Sequence, residues 1–169
     1  MTKKFDDIDI DEIANRRHQL HKNHASSRPL SKDYEKVGLS GEVAFWHLTG
    51  VRPDFTDRPK GDKGIDFVLD DGRTVDVKTA RKAFNLIHEV GKPFADIYVL
   101  AQYNDDTMKA TLVGWEYGKT LSKAPQKDFG YGITNHYINM NELKDMKFLQ
   151  FQLGQIPIQA LHDSSPDQL

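Results

Sequence analysis

The sequence predicts a mixed α/β or α+β domain. Helical periodicity stands near both ends of the chain, a succession of β-branched and aromatic runs lies between them, and no internal repeat interrupts that order. With 169 residues, one full-sized domain with its own core is expected. Its parts are predicted as an N-terminal helical arm and linker over 1–32, the main domain over 33–160 and a flexible tail over 161–169.

Residues 8 to 24 begin acidic and end basic, in the sense a helix macrodipole favours, and Ile10, Ile13, Arg17 and Leu20 share one face. This spacing predicts an amphipathic arm helix, a candidate for homodimer contacts. "SSRPLSK" is polar and broken by Pro29, as linkers are. From Asp33 to Thr49 the pattern is helical with an interruption near Gly38, Ser40 standing as N-cap and Gly50 as the stop. The loop 50–63 is charged and contains two prolines.

Two strand-like runs follow in "GIDFVLDDGRTVDVKTARK", joined by a turn at Asp70, Asp71 and Gly72. "KAFNLIHEV" alternates and is read as a strand. "FADIYVLAQY" and "KATLVGW" flank the turn "NDDT" and predict a second hairpin. A short helical stretch and a loop fill 116–132, "ITNHYINM" is a last strand with His136 and Tyr137 in packing roles, and "NELKDMKFLQFQ" is a helix.

Composition excludes several functions. There is no cysteine, so disulfides, thiolate zinc sites and a cysteine nucleophile are absent, while an oxygen-ligated metal stays open. A net charge of -2 and a mean hydropathy of -0.63 suit a soluble protein that does not coat nucleic acid indiscriminately. No apolar run reaches the roughly 18 residues of a membrane span, and no apolar segment follows the first lysines. A cytoplasmic location is the expectation, with no membrane partner.

The register of the first hairpin decides its chemistry. A two-residue loop would place Asp66 on the face of Val75 and Val77. A three-residue loop with Gly72 left-handed instead pairs Leu69 with Arg73, Phe67 with Val75, Asp66 with Asp76 and Ile65 with Val77. Ile65, Phe67, Leu69, Val75 and Val77 then form one face, and Asp66, Val68, Thr74, Asp76 and Lys78 the other. Cross-strand carboxylates with Cβ atoms roughly 5 Å apart repel unless a cation intervenes. Mg²⁺ or Mn²⁺ would remove the repulsion, and Lys78 would sit beside a metal-bound water or a phosphate. Alternatively, Lys78 simply neutralises the two aspartates.

"GID" at 64–66, "VDVK" at 75–78 and the preceding helix "GLSGEVAFWHL" resemble the PD-(D/E)XK nuclease superfamily over Gly38 to Arg81. Ile65 stands where that pattern often has proline. The resemblance implies a restriction-endonuclease-like three-layer core, a mixed central sheet flanked by helices, and Mg²⁺- or Mn²⁺-dependent hydrolysis of DNA phosphodiesters. On that resemblance Asp66, Asp76 and the Val77 carbonyl would be metal ligands, Glu42 an outer ligand or water positioner, and Lys78 the electrostatic and proton-handling residue. Glu42 has a competing explanation as a dipole-favoured residue of the first helical turn. Arg58, Lys60 and Lys63 before the hairpin, and Arg81 and Lys82 after it, could hold a DNA backbone, although Asp54, Asp57 and Asp62 dilute the loop. Phage-borne nucleases of similar size make a phage origin, and so a host-cytoplasm location, a further expectation. A non-catalytic nucleic-acid-binding module and a nuclease for RNA or branched junctions are the alternatives.

Overall fold

The computed structural model describes residues 11–15, 33–51, 53 and 66–152. Ile65, the loop lysines Lys60 and Lys63, Arg58 and the C-terminal tail lie outside those residues.

Helix α1 spans Tyr34–Thr49 and turns its apolar stripe, Val37, Phe45 and Trp46 among it, into the core. It runs through Gly38 without interruption. Ser40 is no cap: its hydroxyl donates to the Lys36 carbonyl at 2.8 Å, one turn back. Asp33 occupies the N-cap position, and Gly50, at φ 75°, ends the helix with its N–H on the Trp46 carbonyl. Residues 11–15 are helical and dock on the same chain, with Ala14 buried and Asp11 paired to Lys36 at 2.8 Å.

The strands are β1 (Phe67–Val68), β2 (Thr74–Ala80), β3 (Asn85–Glu89), β4 (Ile97–Asn104), β5 (Lys109–Tyr117), β6 (Gln126–Asp128) and β7 (Thr134–Asn139). A short helix α2 (Gly118–Leu121) follows β5, and a 3-10 turn at Met140–Glu142 leads to helix α3 (Met146–Gln152). Thus α3 starts later than the periodicity predicts, because Lys144 is held extended by backbone bonds to Trp115.

One sheet has the order β1-β2-β4-β5 and is mixed, with β2 and β4 parallel and the outer pairs antiparallel. The second has the order β3-β7-β6 and is antiparallel. Phe45, Trp46, Val75, Val77, Val99, Trp115 and Leu149 form a core between the first sheet and helices α1 and α3. On the opposite face, Tyr98 and Leu100 pack with Leu86, Leu121 and Ile138 from the second sheet and α2. The class is α/β with a mixed sheet, as predicted. Its second face is covered by a sheet and the short α2, because the inward residues of β3 and β7, Leu86, His88, His136 and Ile138, bury against it.

The α1 contact is close at Gly41, where a Cβ would run into the Thr79 hydroxyl and press on Val77. Gly41→Ala should therefore cost roughly 1–3 kcal/mol by overpacking. Urea denaturation with an unchanged m-value and a lower midpoint is the expected result.

Candidate active site

The hairpin register is the one that segregates the faces. Phe67 pairs with Val75 and Val68 with Thr74, and Leu69 N–H donates to the Arg73 carbonyl at 2.8 Å. Gly72 has φ 87°, a conformation that glycine adopts without strain. Phe67, Leu69, Val75 and Val77 are buried together in one core, while Val68 is exposed.

The ladder ends earlier than the register alone implies. Asp66 does not sit opposite Asp76 in the pairing: its N–H donates to the Val75 carbonyl at 2.9 Å, and its Oδ2 accepts the Val77 N–H at 2.7 Å. A side chain thus takes the donor that a longer β1 would have bonded. Along a strand the N–H and C=O of one residue point to the same side, so the Val77 carbonyl emerges on this same edge beside Asp66.

Asp76 projects from the opposite face to Val75 and Val77. Asp76 is buried, at 4% exposure, because the second sheet covers that face. Lys78 Nζ stands 2.8 Å from Asp76 Oδ2, with its side chain 39% exposed. That approach falls outside hydrogen-bond angles, and Oδ2 is buried without any hydrogen-bond donor. The contact is one of charge alone. Lys78 offsets the charge, but a buried carboxylate oxygen without a hydrogen bond leaves part of its desolvation cost standing.

The neighbourhood of Asp76 includes side chains that the sequence does not assign to it. Tyr98 is its partner in the parallel ladder, and burial, with the charge of Asp76 adding, pushes the phenol up to about 12. The Tyr98 hydroxyl accepts the Ala95 N–H at 2.9 Å. His88, on β3, has its ring tilted against that of Phe94 at 4.2 Å and edge-on to Tyr98 at 5.3 Å. Burial holds its pKa below the ordinary value of 6.5, Lys78 and the cross-strand His136 pushing the same way, the Lys92 carbonyl and Asp76 pushing back. The alternation of β3 marks His88 and Leu86 as sharing a face, but nothing in the spacing links that face to Asp76.

The depressed histidine makes a prediction. Below pH 6.5 the unfolded chain binds a proton that the folded chain resists, so stability is fully present above that pH and falls as the pH drops. His88→Gln should flatten the part of the pH–stability curve between about 6.5 and 5, measured by urea midpoints.

Glu42 is buried, at 4% exposure, on α1. That helix packs against Val77 and Thr79, the side of β2 opposite Asp76 and Lys78. Among the described residues, no three histidine, aspartate or glutamate side chains are gathered closely enough to cage a metal ion. The structure joins Asp66 to the Val77 N–H and Asp76 to Lys78, and carries Glu42 on the helix packed against the other face of β2.

Arg81 is already occupied. Its guanidinium donates to Asp33 at 2.6 Å and to Asp105 at 2.8 and 3.0 Å, and lies 5.4 Å from the centre of the Tyr103 ring. It ties the start of α1 to the β4–β5 turn. Lys82 is exposed. Among the described residues, no helix is long and apolar enough to cross a membrane. Comparison with protein-family models, curated proteins and solved structures finds no match.

Proposed function

We propose that the chain is a divalent-metal-dependent deoxyribonuclease of the PD-(D/E)XK type on a restriction-endonuclease-like core. The observation behind this reading is the buried Asp76 Oδ2, which has no hydrogen bond and stands next to Lys78, at the place where β1 stops and the edge of β2 opens. Asp66, Asp76 and the Val77 carbonyl offer oxygens, the donor type that suits Mg²⁺ or Mn²⁺. Asp66, Asp76 and the Val77 carbonyl would hold the ion. Bound there, it would supply Lewis-acid polarisation of a phosphate oxygen and a more acidic water.

The chain's own residues do the rest. Asp66 fixes the open edge of β2 through the Val77 N–H, and so orients the carbonyl of the same residue. Lys78 has a partly exposed side chain, so its ammonium can pass from Asp76 to a phosphate oxygen and stabilise charge that develops there. The second sheet over Asp76 keeps water off the carboxylate and strengthens each of these interactions. Glu42 is left out of the ligand set.

The close Asp76–Lys78 ion pair favours a second reading, a nucleic-acid-binding module whose charges only satisfy each other. Cleavage of end-labelled single-stranded, duplex and branched DNA with and without Mg²⁺ or Mn²⁺ separates the two. Metal-dependent cutting is the expected result. No cutting of any substrate, together with no heat of Mg²⁺ binding in calorimetry, would replace the nuclease with the module.

A further inference from the structure

The turn between β6 and β7 displays aromatic rings in an unusual way. Tyr131 is 74% exposed and has φ 68°, between Gly130 at 124° and Gly132 at 71°. A non-glycine residue in that conformation is strained, and a tyrosine there gains no burial in return. Phe129 is 40% exposed, with its ring set edge-on to Tyr137 at 5.4 Å. Lys127 Nζ lies 5.2 Å from the Phe129 ring centre.

Tyr137 also lines an open cleft of about 470 Å³ with Lys119, Thr120, Lys123 and Pro125. Glu116 faces it too, but Lys144 neutralises that carboxylate at 2.6 Å. Lys119, Lys123 and Lys127 are exposed and outnumber the two remaining carboxylates here, Asp128 and Glu142. Asp128 is further engaged in accepting the Gly130 N–H at 2.7 Å.

Exposed ring faces interleaved with ammonium groups suit an unpaired nucleic-acid strand, whose bases stack on the rings while its phosphates meet the lysines. A duplex offers no free base faces. The platform lies in the same sheet as His88, two strand spacings or about 10 Å across from β3, but on its outer face, since Tyr137 pairs with Ile87 while the inward His136 pairs with His88. A strand bound there passes the β3 edge to reach Asp76 and Lys78. We propose that Phe129, Tyr131 and Tyr137, with Lys119, Lys123 and Lys127, form a docking surface for single-stranded DNA, which the candidate active site cuts. The cutting part of this statement rests on the nuclease reading; the binding part does not.

Fluorescence anisotropy of labelled dT20 and of a 20-base-pair duplex, in EDTA, tests it with the wild-type chain, Tyr131→Gly and Phe129→Ala. Tyr131→Gly removes the ring and relieves the backbone strain, so it keeps the fold. Expected is a preference for dT20, weakened roughly ten-fold by each variant, and by added salt. Equal affinity for both DNAs, or variants that bind dT20 like the parent, would overturn the docking surface even if cutting is observed. Ring-dependent binding of dT20 without cutting under any metal would uphold the surface and sink the nuclease reading instead.

Discussion

Asp76→Asn is expected to lower metal-dependent DNA cutting by about a thousand-fold or more while leaving the protein as stable as the parent, or about 1 kcal/mol more so. The two halves of this expectation have one cause. The carboxylate is buried, one of its oxygens has no hydrogen bond, and its only close cation among the described residues is a lysine approaching at a poor angle. Folding bears the desolvation of that group, so a neutral amide of the same shape relieves it. Lys78, already partly exposed, can turn to water when its partner is lost. A metal ligand, by contrast, cannot be replaced by an amide without losing the charge that holds the ion. Asp66→Asn gives the contrast within the same site: its amide oxygen can still accept the Val77 N–H, so the strand edge should persist while metal affinity falls. Cleavage rates and urea midpoints of both variants, measured side by side, check the prediction. If Asp76→Asn cuts like the parent, or unfolds several kcal/mol more easily, the carboxylate belongs to a structural pair with Lys78.

Much of this geometry is legible in the residues, because one alternating face leaves little choice. Phe67, Leu69, Val75 and Val77 can share a core only in the register that puts Gly72 in a left-handed turn, and that register is present. Alternation tells which residues share a face, but not what covers that face. Hence the burial of Asp76 beneath the second sheet, and its proximity to His88 and Tyr98, have no signal in the sequence. The strand Gln126–Asp128 is polar and fully exposed, so no hydrophobic period announces it. Arg81 reads as a DNA contact in the sequence because the two aspartates that hold it stand 48 and 24 residues away in the chain. The hairpin's charge pattern points to paired carboxylates, yet the end of β1 at Phe67 is set by which group bonds Val77, and side-chain capping of a strand edge has no periodic signature.

Trp115→Ala should cost about 3–5 kcal/mol, a larger loss of stability than Gly41→Ala or either aspartate substitution. Trp115 is 1% exposed in the core between α1 and the first sheet. Its indole N–H donates to the Asp145 carbonyl at 2.9 Å, and its backbone exchanges bonds of 3.0 and 2.9 Å with Lys144. Gly114 permits that approach, since a Cβ there would meet the Lys144 carbonyl at 2.9 Å. Losing the ring therefore opens a cavity and loosens the segment that leads into α3. Against a total stability of about 5–15 kcal/mol, the melting temperature should drop by roughly 10 °C. Trp115→Phe should fall between, since it fills most of the cavity but leaves the Asp145 carbonyl without its donor. Neither change should alter cutting per folded molecule at a temperature where the variant is still native, because Trp115 and Asp76 project from opposite faces of the sheet. Calorimetric melting beside single-turnover cleavage measures both quantities. If the folded Trp115→Ala chain loses cutting as Asp76→Asn does, the two faces of the sheet are coupled, and loss of activity in either variant no longer identifies a metal ligand.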